Sequence, residues 1–598
     1  MRKKHFLFAS VLALLCGSSA LHAQDFKLTS SGYFKNQGVD IMAFDDIYPE
    51  GHQGGVCIIM NGHRVATNGD IRLEATPGQW QPVPKQLDRK LGDNSITATL
   101  CYPDSSRHLT GFNPMIYPDL HLIYTVNVES KGKNIEVTVD LDRPIPQEFI
   151  GKVGFNLEFF PGSLFGKPWI MDGQSGIFPQ QPNSPLMTTQ PNYLHTGNYH
   201  DGKKSLADMD KLIGKGYSPI VADDIISEPY AKGTKFTSRP DDPYNKVTIE
   251  SLSGDLQLFD GRMNHNNGWF VLRSNIKPGV TKGAVKWIIT PNVVADWMYQ
   301  PVIQTSQIGY HPTQDKEAVI EMDIRDNRKE TAQIIRIDAD GEKVVKNVTP
   351  ANWGKFLRYN YLKVNFTDVK EPGLYKIKYN TSVSPIFRID NDVYARGVWQ
   401  PVLEYFLPVQ MCHMRVNEKY RVWHDCCHMD DAQMAPAHNH IDGYDQKEGL
   451  SKFKPGEVVP GVNIGGWHDA GDFDLRIESQ AGESYILALA YEAFHPNLDV
   501  TSIDQINRVT EIHQPDGKND LLQQVENGAL TVVNGYLALG RLYRGIICND
   551  LRQYVLLGDA AAMTDGKIGN EDDRWIFTED NPGRELSTAA QLAAVSRV

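Results

Sequence analysis

The chain has 598 residues and a formal net charge of −13, with 22% charged and 41% hydrophobic residues. This length predicts several domains, each long enough to bury its own core. The balance of charged and apolar residues excludes a multi-span membrane protein and a mostly disordered chain. The acidic balance, without a long run of Lys or Arg, argues against nucleic acid as the main partner.

The first residues have the pattern of a secretory signal peptide. Basic residues at positions 2–4 precede an apolar run over 6–16, and small residues lead to Ala23, after which we expect cleavage. The run is too short to span a bilayer as a helix. A lipid anchor at Cys16 is not expected, because a large leucine precedes it. We therefore expect residues 1–23 to be removed and the mature protein to be secreted or periplasmic, with no membrane span.

Residues 24–300 have the sequence pattern of a large β-sandwich with long loops. Segments 120–128 and 134–141 are rich in β-branched residues and alternate between apolar and polar positions. Gly, Pro, Asn and Asp separate such runs, and the single helix candidate is a short one at 205–214. The sequence predicts no specific role for this domain.

Residues 301–391 predict a second, smaller β-sandwich. Short alternating strands over 302–389 are separated by Asp-Gly and Pro-Gly turns, which is typical of an immunoglobulin-like fold. We expect this module to act as a spacer packed on its neighbour.

From residue 392 the hydrophobic period becomes helical. The pattern predicts helices over 393–411, 478–494, 520–543 and 587–598. The segment 483–494 is apolar nearly all round, which predicts a helix buried between others. The last predicted helix has no C-cap or breaker before the final residue, so we expect the helical domain to be incomplete in this chain.

The segment 465–473, GGWHDAGDF, has a pattern suited to catalysis. Asp469 and Asp472 are three positions apart, so in a helical turn both carboxylates would point to one side. Such a pair can activate water at a sugar, with one carboxylate removing a proton and the other positioning the water. The structural alternative is an N-capping aspartate with a second aspartate in a calcium-binding loop. The spacing alone favours neither.

A second cluster consists of thiols and imidazoles from separate segments: Cys412, His413, Cys426, Cys427, His428 and His468. Zinc prefers four ligands of these kinds, and separated pairs are a common way to build its site. The alternative is a disulfide among the cysteines, which an exported protein allows. A structural zinc would brace the loop that carries Asp469 and Asp472.

Together these motifs resemble glycoside hydrolase family 9, the inverting cellulases built on an (α/α)6 barrel. Segment 465–473 resembles the catalytic-base motif of that family. Segment 307–389 is similar to the immunoglobulin-like module that precedes the barrel in one branch, and Cys412 with 427–432 is similar to the zinc-binding stretch of that branch. Segments 515–522 and 589–594 also match family helices, so the resemblance covers roughly residues 302–598.

The resemblance implies specific roles for these residues. Asp472 would be the general base that takes a proton from the attacking water, and Asp469 would hold that water. Cys412, Cys427, His428 and His468 would be the zinc ligands, which leaves Cys426 and His413 as neighbours. The general acid of the family is a glutamate near the C-terminal end of the barrel, and no residue of this chain corresponds to it.

The resemblance predicts an exported β-1,4-glucan hydrolase that inverts configuration and is endo-acting. Cellulose, mixed-linkage glucan and the xyloglucan backbone are all possible substrates, and some relatives instead act from chain ends on amino-sugar oligomers. Trp467 and Trp575 are candidate sugar platforms, although core packing is the alternative for both. A non-catalytic carbohydrate-binding or scaffold protein and an inactive fragment are the rival hypotheses. Zinc is the expected metal, with calcium possible; the sequence does not predict the oligomeric state.

Overall fold

The computed structural model describes residues 25–45, 54–74, 76–77, 84–102, 120, 122–183, 186–188, 225–263, 268–436, 444, 446–469, 473–548, 567 and 573–598. The predicted signal peptide and the helix candidate at 205–214 lie outside these residues. Among the described residues, no helix combines the length and the apolar character needed to cross a membrane.

The N-terminal region is built from antiparallel strands. In chain order they are β1 (Lys27–Leu28), β2 (Phe34–Asn36), β3 (Val39–Ala43), β4 (Val56–Met60), β5 (His63–Leu73), β6 (Lys85–Leu91), β7 (Ser95–Cys101), β8 (Ile123–Lys131), β9 (Asn134–Leu141), β10 (Val153–Phe159), β11 (Pro168–Met171), β12 (Gln174–Ile177), β13 (Leu186–Thr188), β14 (Ile225–Ser227), β15 (Ala231–Gly233), β16 (Lys235–Ser238), β17 (Val247–Ser251), β18 (Leu256–Asp260), β19 (Phe270–Asn275) and β20 (Val285–Pro291).

These strands form two nine-stranded sheets and one separate pair. The first sheet has the order β1-β2-β3-β4-β5-β10-β19-β18-β15, the second has the order β12-β11-β16-β17-β20-β9-β8-β7-β6, and β13 pairs with β14. Side chains from both large sheets share one hydrophobic core. The alternation that predicted the sandwich is visible in β9, where Ile135, Val137 and Val139 are fully buried and their neighbours are half-buried. The observed architecture agrees with the predicted β-sandwich.

The sandwich core also contains ionisable groups. The carboxylate of Glu74 accepts hydrogen bonds from Asn156 at 2.6 Å and from Arg273 at 3.2 Å, and all three side chains are buried. Asp70 accepts a hydrogen bond from the Tyr124 hydroxyl at 3.0 Å. Burial raises the pKa of Asp70 to about 6 and that of Glu74 to about 7. The interior of this domain is therefore sensitive to pH.

The next region is the predicted small sandwich. Its strands are β21 (Val302–Gln304), β22 (Glu317–Asp323), β23 (Ala332–Asp338), β24 (Gly341–Val348), β25 (Ala351–Phe356), β26 (Tyr359–Asn365), β27 (Gly373–Tyr379), β28 (Ser382–Val383) and β29 (Phe387–Ile389). One sheet has the order β21-β22-β26-β25, and the other has β24-β23-β27-β28 with β29 also paired to β27. The two sheets enclose a separate hydrophobic core. The main-chain carbonyl of Trp297, just before β21, accepts hydrogen bonds from Gln37 and Arg325, which joins this module to the first sandwich.

The C-terminal region combines helices with short strands. Its helices are α1 (Leu407–Gln410), which follows a π-helical turn at Val402–Phe406, α2 (Ile477–Phe494), α3 (Asp520–Leu539) and α4 (Pro582–Val595). Its strands are β30 (Arg415–Glu418), β31 (Arg421–His424), β32 (Gln433–Met434), β33 (Leu475–Arg476), β34 (Thr501–Asp504), β35 (Val509–Ile512), β36 (Gly545–Ile547) and β37 (Trp575–Phe577). The strands form two four-stranded sheets, β31-β30-β35-β34 and β32-β37-β36-β33. Helix α2 packs against both α3 and α4.

This region differs from the helical expectation in four respects. The described residues contain two small sheets that the sequence did not predict, and residues 393–399 form turns and bends where a helix was predicted, so that helical structure begins only at residue 400. Helix α3 ends at Leu539 rather than 543 because Gly540 adopts a left-handed conformation with φ of 75°. Helix α2 is not buried all round, since Ile486 is 65% and Phe494 is 80% exposed. The packed helices are compatible with part of a helical barrel, and the barrel itself stays a prediction.

Candidate metal centre and carboxylate loop

The four predicted zinc ligands lie together in the structure. Candidate ligand atoms of Cys412, Cys427, His428 and His468 all lie within 4.8 Å of one another, and all four side chains are buried. The two Sγ atoms are 3.8 Å apart. Cys412 Sγ lies 3.6 Å from Nδ1 of His428, and Cys427 Sγ lies 3.4 Å from Nε2 of His468.

These distances distinguish a metal site from a disulfide. A disulfide needs an S–S distance of about 2.05 Å, and all cysteines of the described residues are free. With Zn–S bonds of about 2.3 Å and Zn–N bonds of about 2.0 Å, a tetrahedral site has S–S edges of about 3.8 Å and S–N edges of about 3.5 Å. The S–S edge and the two S–N edges given above agree with these values to within about 0.2 Å. The donor set therefore fits zinc.

Backbone pairing brings the ligand segments together. Residues 410–412, at the end of α1, run alongside 466–468: the Cys412 amide donates to the Gly466 carbonyl at 2.9 Å, and the His468 amide donates to the Gln410 carbonyl at 2.8 Å. Gly465 and Gly466 have φ of 68° and 85°, and an added Cβ at Gly465 would collide with the backbone of α3. The double glycine thus allows the loop to lie directly against α3.

The electrostatic environment favours metal-binding protonation states. Burial alone would raise the pKa of the Cys412 thiol, but the hydrogen bond with Cys427 and the positive charges of Arg574 and His413 bring this pKa well below its usual range. Burial, with the Arg574 charge, lowers the pKa of His428 to about 4. Burial also lowers the pKa of His468. Burial and the neighbouring Cys412 raise the pKa of the Cys427 thiol well above its usual range. Three of the four side chains are thus biased toward the protonation state that metal ligation requires, and Cys427 must lose its proton when a metal binds.

Arg574 is the most important neighbour of the cluster, and sequence reasoning did not identify it. Its guanidinium is fully buried and donates to Cys412 Sγ at 3.2 Å, to the Asp431 carboxylate at 2.9 Å and to the Phe473 carbonyl. His413 completes this network, with Nε2 at 3.2 Å from Asp431 and Nδ1 donating to the Gly465 carbonyl at 3.0 Å. Arg574 thus links Cys412, a candidate metal ligand, to the residue that follows Asp472.

The carboxylate loop begins directly after the ligand His468. Asp469 is exposed, its amide donates to the Asp474 carbonyl at 3.2 Å, and its Oδ2 lies 3.5 Å from Nε of Arg476. Asp474 is fully buried and accepts from the Cys548 amide at 2.9 Å, which fixes the far end of the loop. Asp472 lies outside the described residues, so its predicted role stays a prediction.

The two predicted sugar platforms differ from each other. Trp467 is only 2% exposed, and its indole nitrogen donates to Gln524 at 2.8 Å. The platform prediction for Trp467 is therefore wrong, because its ring packs in the core and presents no face to a ligand; the core-packing alternative holds. Trp575 is partly buried on β37, where its ring lies 6.4 Å from that of Phe577. Its role as a platform stays a prediction.

Comparison with known proteins agrees with the resemblance found in the sequence. Residues 298–384 match the family model of the cellulase N-terminal Ig-like domain. The predicted relationship of this module to the cellulases is thereby confirmed. No curated protein matches the chain.

Solved structures similar to the chain include endoglucanases of glycoside hydrolase family 9. A metagenome-derived family 9 endoglucanase aligns at 19% identity over 50% of this chain and 54% of its own, with a TM-score of 0.34. A Bacteroides ovatus family 9 protein aligns at 17% identity over 50% and 53%, also with a TM-score of 0.34. A zinc-binding triple mutant of the family 9 endoglucanase J30 aligns at 18% identity over 48% and 52%, with a TM-score of 0.33. The chain spans about half the length of these structures.

Proposed function

We propose that this chain contributes to a secreted glycoside hydrolase that cleaves β-1,4-glucan with inversion of configuration. The observation that carries the proposal is the position of the carboxylate loop between the ligand His468 and the Arg574-bound Phe473. The match of residues 298–384 to the Ig-like domain of cellulases supports the family-level assignment. Cellulose, mixed-linkage glucan and the xyloglucan backbone are the candidate substrates, and the endo mode of cleavage is part of the proposal.

In the proposed reaction, Asp472 removes a proton from a water molecule as that water attacks the anomeric carbon. Asp469 accepts a hydrogen bond from the same water and holds it in line with the bond that breaks. Two close carboxylates push their pKa values apart, which keeps one of them ionised as the base. Inversion also requires a general acid on the opposite side of the bond, and we assign no residue of this chain to that role.

We propose zinc as the metal of the Cys412, Cys427, His428 and His468 cluster. When bound, zinc supplies a structural cross-link between the segment after α1, the loop after β31 and the start of the carboxylate loop. Arg574 donates to the Cys412 thiolate and so offsets the negative charge that the two thiolates bring to a buried site. The metal is thus assigned a bracing role, whereas the proton is moved by carboxylates.

Hydrolysis is tested by the release of reducing ends from a soluble β-1,4-glucan. The mature chain and its Asp472→Asn variant are compared, and circular dichroism verifies that both are folded. Activity that Asp472→Asn abolishes supports the proposal. A folded, zinc-loaded protein without activity overturns hydrolysis by this chain and leaves the inactive-fragment and binding-protein hypotheses, and retention of that protein by glucan in a native gel would favour the binding-protein hypothesis.

Zinc is tested by metal analysis after dialysis. We expect about one zinc per chain, because the four ligands form a single tetrahedral set. Cys427→Ser should abolish zinc binding, whereas Cys426→Ser should not, because Cys426 is a half-buried neighbour whose thiol faces the Arg508 carbonyl at 3.8 Å. Equal zinc content in both variants, or none in the unaltered protein, contradicts the assignment.

A further inference from the structure

A band of aromatic rings crosses from the first sandwich onto the Ig-like module. Trp297, Tyr299, Tyr359, Tyr361 and Trp353 follow one another in space. Successive ring centroids are separated by 6.3, 5.0, 6.0 and 5.6 Å. Tyr359 and Tyr361 lie on β26, where outward positions alternate with the buried Leu362 and Val364. The band is therefore on the outer face of the β21-β22-β26-β25 sheet, away from the core.

The outer end of the band is open to solvent. Trp353 is 56% exposed and lies at a β-bulge in the edge strand β25, where the register with β26 shifts between Asn352 and Gly354. Bulges at sheet edges re-aim side chains. Gly354 stands opposite Tyr361, and a Cβ placed on it would contact nothing within 4 Å. The bulge thus exposes the Trp353 ring next to an open space at Gly354, opposite Tyr361.

Polar groups accompany the rings. Glu321, on β22, accepts hydrogen bonds from the hydroxyls of Tyr299 at 2.8 Å and Tyr361 at 3.2 Å. Burial, together with the Glu321 charge, raises the pKa of Tyr361 to about 12, so its hydroxyl stays protonated. A carboxylate has about four lone-pair positions, so Glu321 can accept further hydrogen bonds from a ligand.

The inner end of the band opens into a cavity between the two domains. The cavity measures about 480 Å³, and Trp297, Tyr299 and Tyr359 contribute to its walls together with Asp323 and Arg325. Arg325 binds Asp323 through Nε and Nη2, each at 2.8 Å, so these charges are paired with each other. Five more charged residues line the cavity: Asp25, Asp40, Lys27, Lys35 and Arg358. The Arg358 guanidinium lies over the Tyr359 ring at 4.8 Å. The lining therefore combines aromatic rings with hydrogen-bonding groups of both charges.

This combination fits a neutral ligand that is rich in hydroxyls. The apolar C–H face of a pyranose ring can stack on an aromatic side chain, while its equatorial hydroxyls need donors and acceptors at the ring edge. An anion would meet the carboxylates of Asp25, Asp40 and Asp323 in the same cavity. A hydrophobic partner helix would leave the Glu321 carboxylate without its solvent. We propose that the band from Trp353 to the interdomain cavity binds a neutral polysaccharide chain, with Trp353 as the stacking platform and Glu321 and Tyr361 as hydrogen-bonding partners. The choice of β-1,4-glucan as that polysaccharide rests on the proposed function.

The test is native affinity electrophoresis of the mature chain in gels with soluble hydroxyethyl cellulose, with pullulan, an α-linked glucan, as the comparison polysaccharide. All proteins carry Asp472→Asn, so hydrolysis does not consume the ligand. Trp353→Ala should raise the Kd for hydroxyethyl cellulose about tenfold, the loss expected for an aromatic anchor. Tyr361→Phe, which keeps the ring and removes the hydroxyl, should raise it about threefold. Tyr420→Ala, at a fully exposed tyrosine of the C-terminal region, is the matched control and should bind as the parent does.

Two results would overturn the inference: a parent protein that hydroxyethyl cellulose does not retard, or Trp353→Ala and Tyr420→Ala variants with equal affinity. Preferential retardation by pullulan would overturn the choice of ligand. This test can fail independently of the proposed function, because hydrolysis is measured in a separate protein, the mature chain with Asp472 intact. If hydrolysis is observed but binding does not depend on Trp353, only the binding role of the aromatic band is refuted. Trp353-dependent binding without hydrolysis refutes only the catalytic proposal.

Discussion

Replacing Gly528 by alanine should destabilise the C-terminal region, although alanine is the better helix former. Gly528 lies within helix α3, where it faces Trp467 and Ser484 of α2. An ideal Cβ at this position would lie far inside van der Waals distance of the Trp467 ring and of Ser484 Oγ. Helix propensity by itself would favour alanine by about 1 kcal/mol. The contact with Trp467 therefore decides whether Gly528→Ala raises or lowers the free energy of unfolding.

Trp467 has little freedom to move away from such a Cβ. Its indole nitrogen donates to Gln524 at 2.8 Å, and its backbone exchanges two hydrogen bonds of 2.9 Å with the Gln480 side chain. Overpacking of a core in this way costs about 1–3 kcal/mol. Subtracting the propensity gain leaves an expected loss of up to about 2 kcal/mol in the free energy of unfolding. Because Trp467 directly precedes the ligand His468, zinc should also be released faster.

Gly482→Ala provides the matched control. Gly482 lies within helix α2, and a Cβ there would meet only the Gln591 side chain, at 3.7 Å, an ordinary contact distance. This variant should therefore gain up to about 1 kcal/mol from helix propensity. Urea unfolding followed by the helical circular dichroism signal reports the region that contains the helices, and a chromophoric chelator reports zinc release. A Gly528→Ala variant as stable as Gly482→Ala, with unchanged zinc release, would refute the packing argument.

Three further variants test other parts of the structure. Arg574→Lys cannot reproduce the guanidinium fork that joins Asp431 to Cys412, so chelator competition should show zinc affinity reduced about 10–100-fold, with Arg584→Lys, on a half-exposed helix position, unchanged. Because burial raises the folded-state pKa of Asp70 to about 6, the folded sandwich retains this proton after the unfolded chain has lost it; the free energy of unfolding should fall by about 3 kcal/mol between about pH 4 and pH 6. Asp70→Asn should remove this part of the fall and leave the part that Glu74 contributes, since burial raises the pKa of Glu74 to about 7; hydrogen exchange of β5 peptides in both proteins at each pH measures the difference. Asn519→Ala removes the side chain that caps α3 through the Leu521 amide at 3.1 Å and should cost about 1 kcal/mol in urea unfolding, and an unchanged midpoint would contradict the capping role.

The β-sandwiches could be predicted because their strands are long enough to show a period of two. Strand β9 alternates over eight residues, and each inward side chain joins a core that excludes water on one face. The short strands of the C-terminal region gave no such signal. Strands β32 and β33 have only two residues each, so no alternation exists to be read, and their pairing depends on distant segments.

The candidate site was predicted as far as residue chemistry could reveal it. The candidate metal ligands Cys412, Cys427, His428 and His468 could be predicted from residue type alone, since few other roles require several cysteines and histidines together. Arg574 could not be predicted in the same way, because its sequence context does not indicate that it contacts Cys412, which lies 162 residues away in the chain. The aromatic band escaped prediction for the same reason: its rings come from the linker and from two adjacent strands.

The separation of Arg574 from the ligands it supports also sets an order of events in folding. All four ligands lie between residues 412 and 468, so this segment can gather a metal ion as soon as it is made. Arg574 reaches Cys412 only after β37 has paired with both β32 and β36, a contact of high sequence separation that forms slowly. We therefore expect the proposed zinc centre to form in two stages, first a metal-bound form with an unsupported thiolate and then a form closed by Arg574. Transient opening of β37 should likewise be the step through which the folded protein releases the proposed zinc.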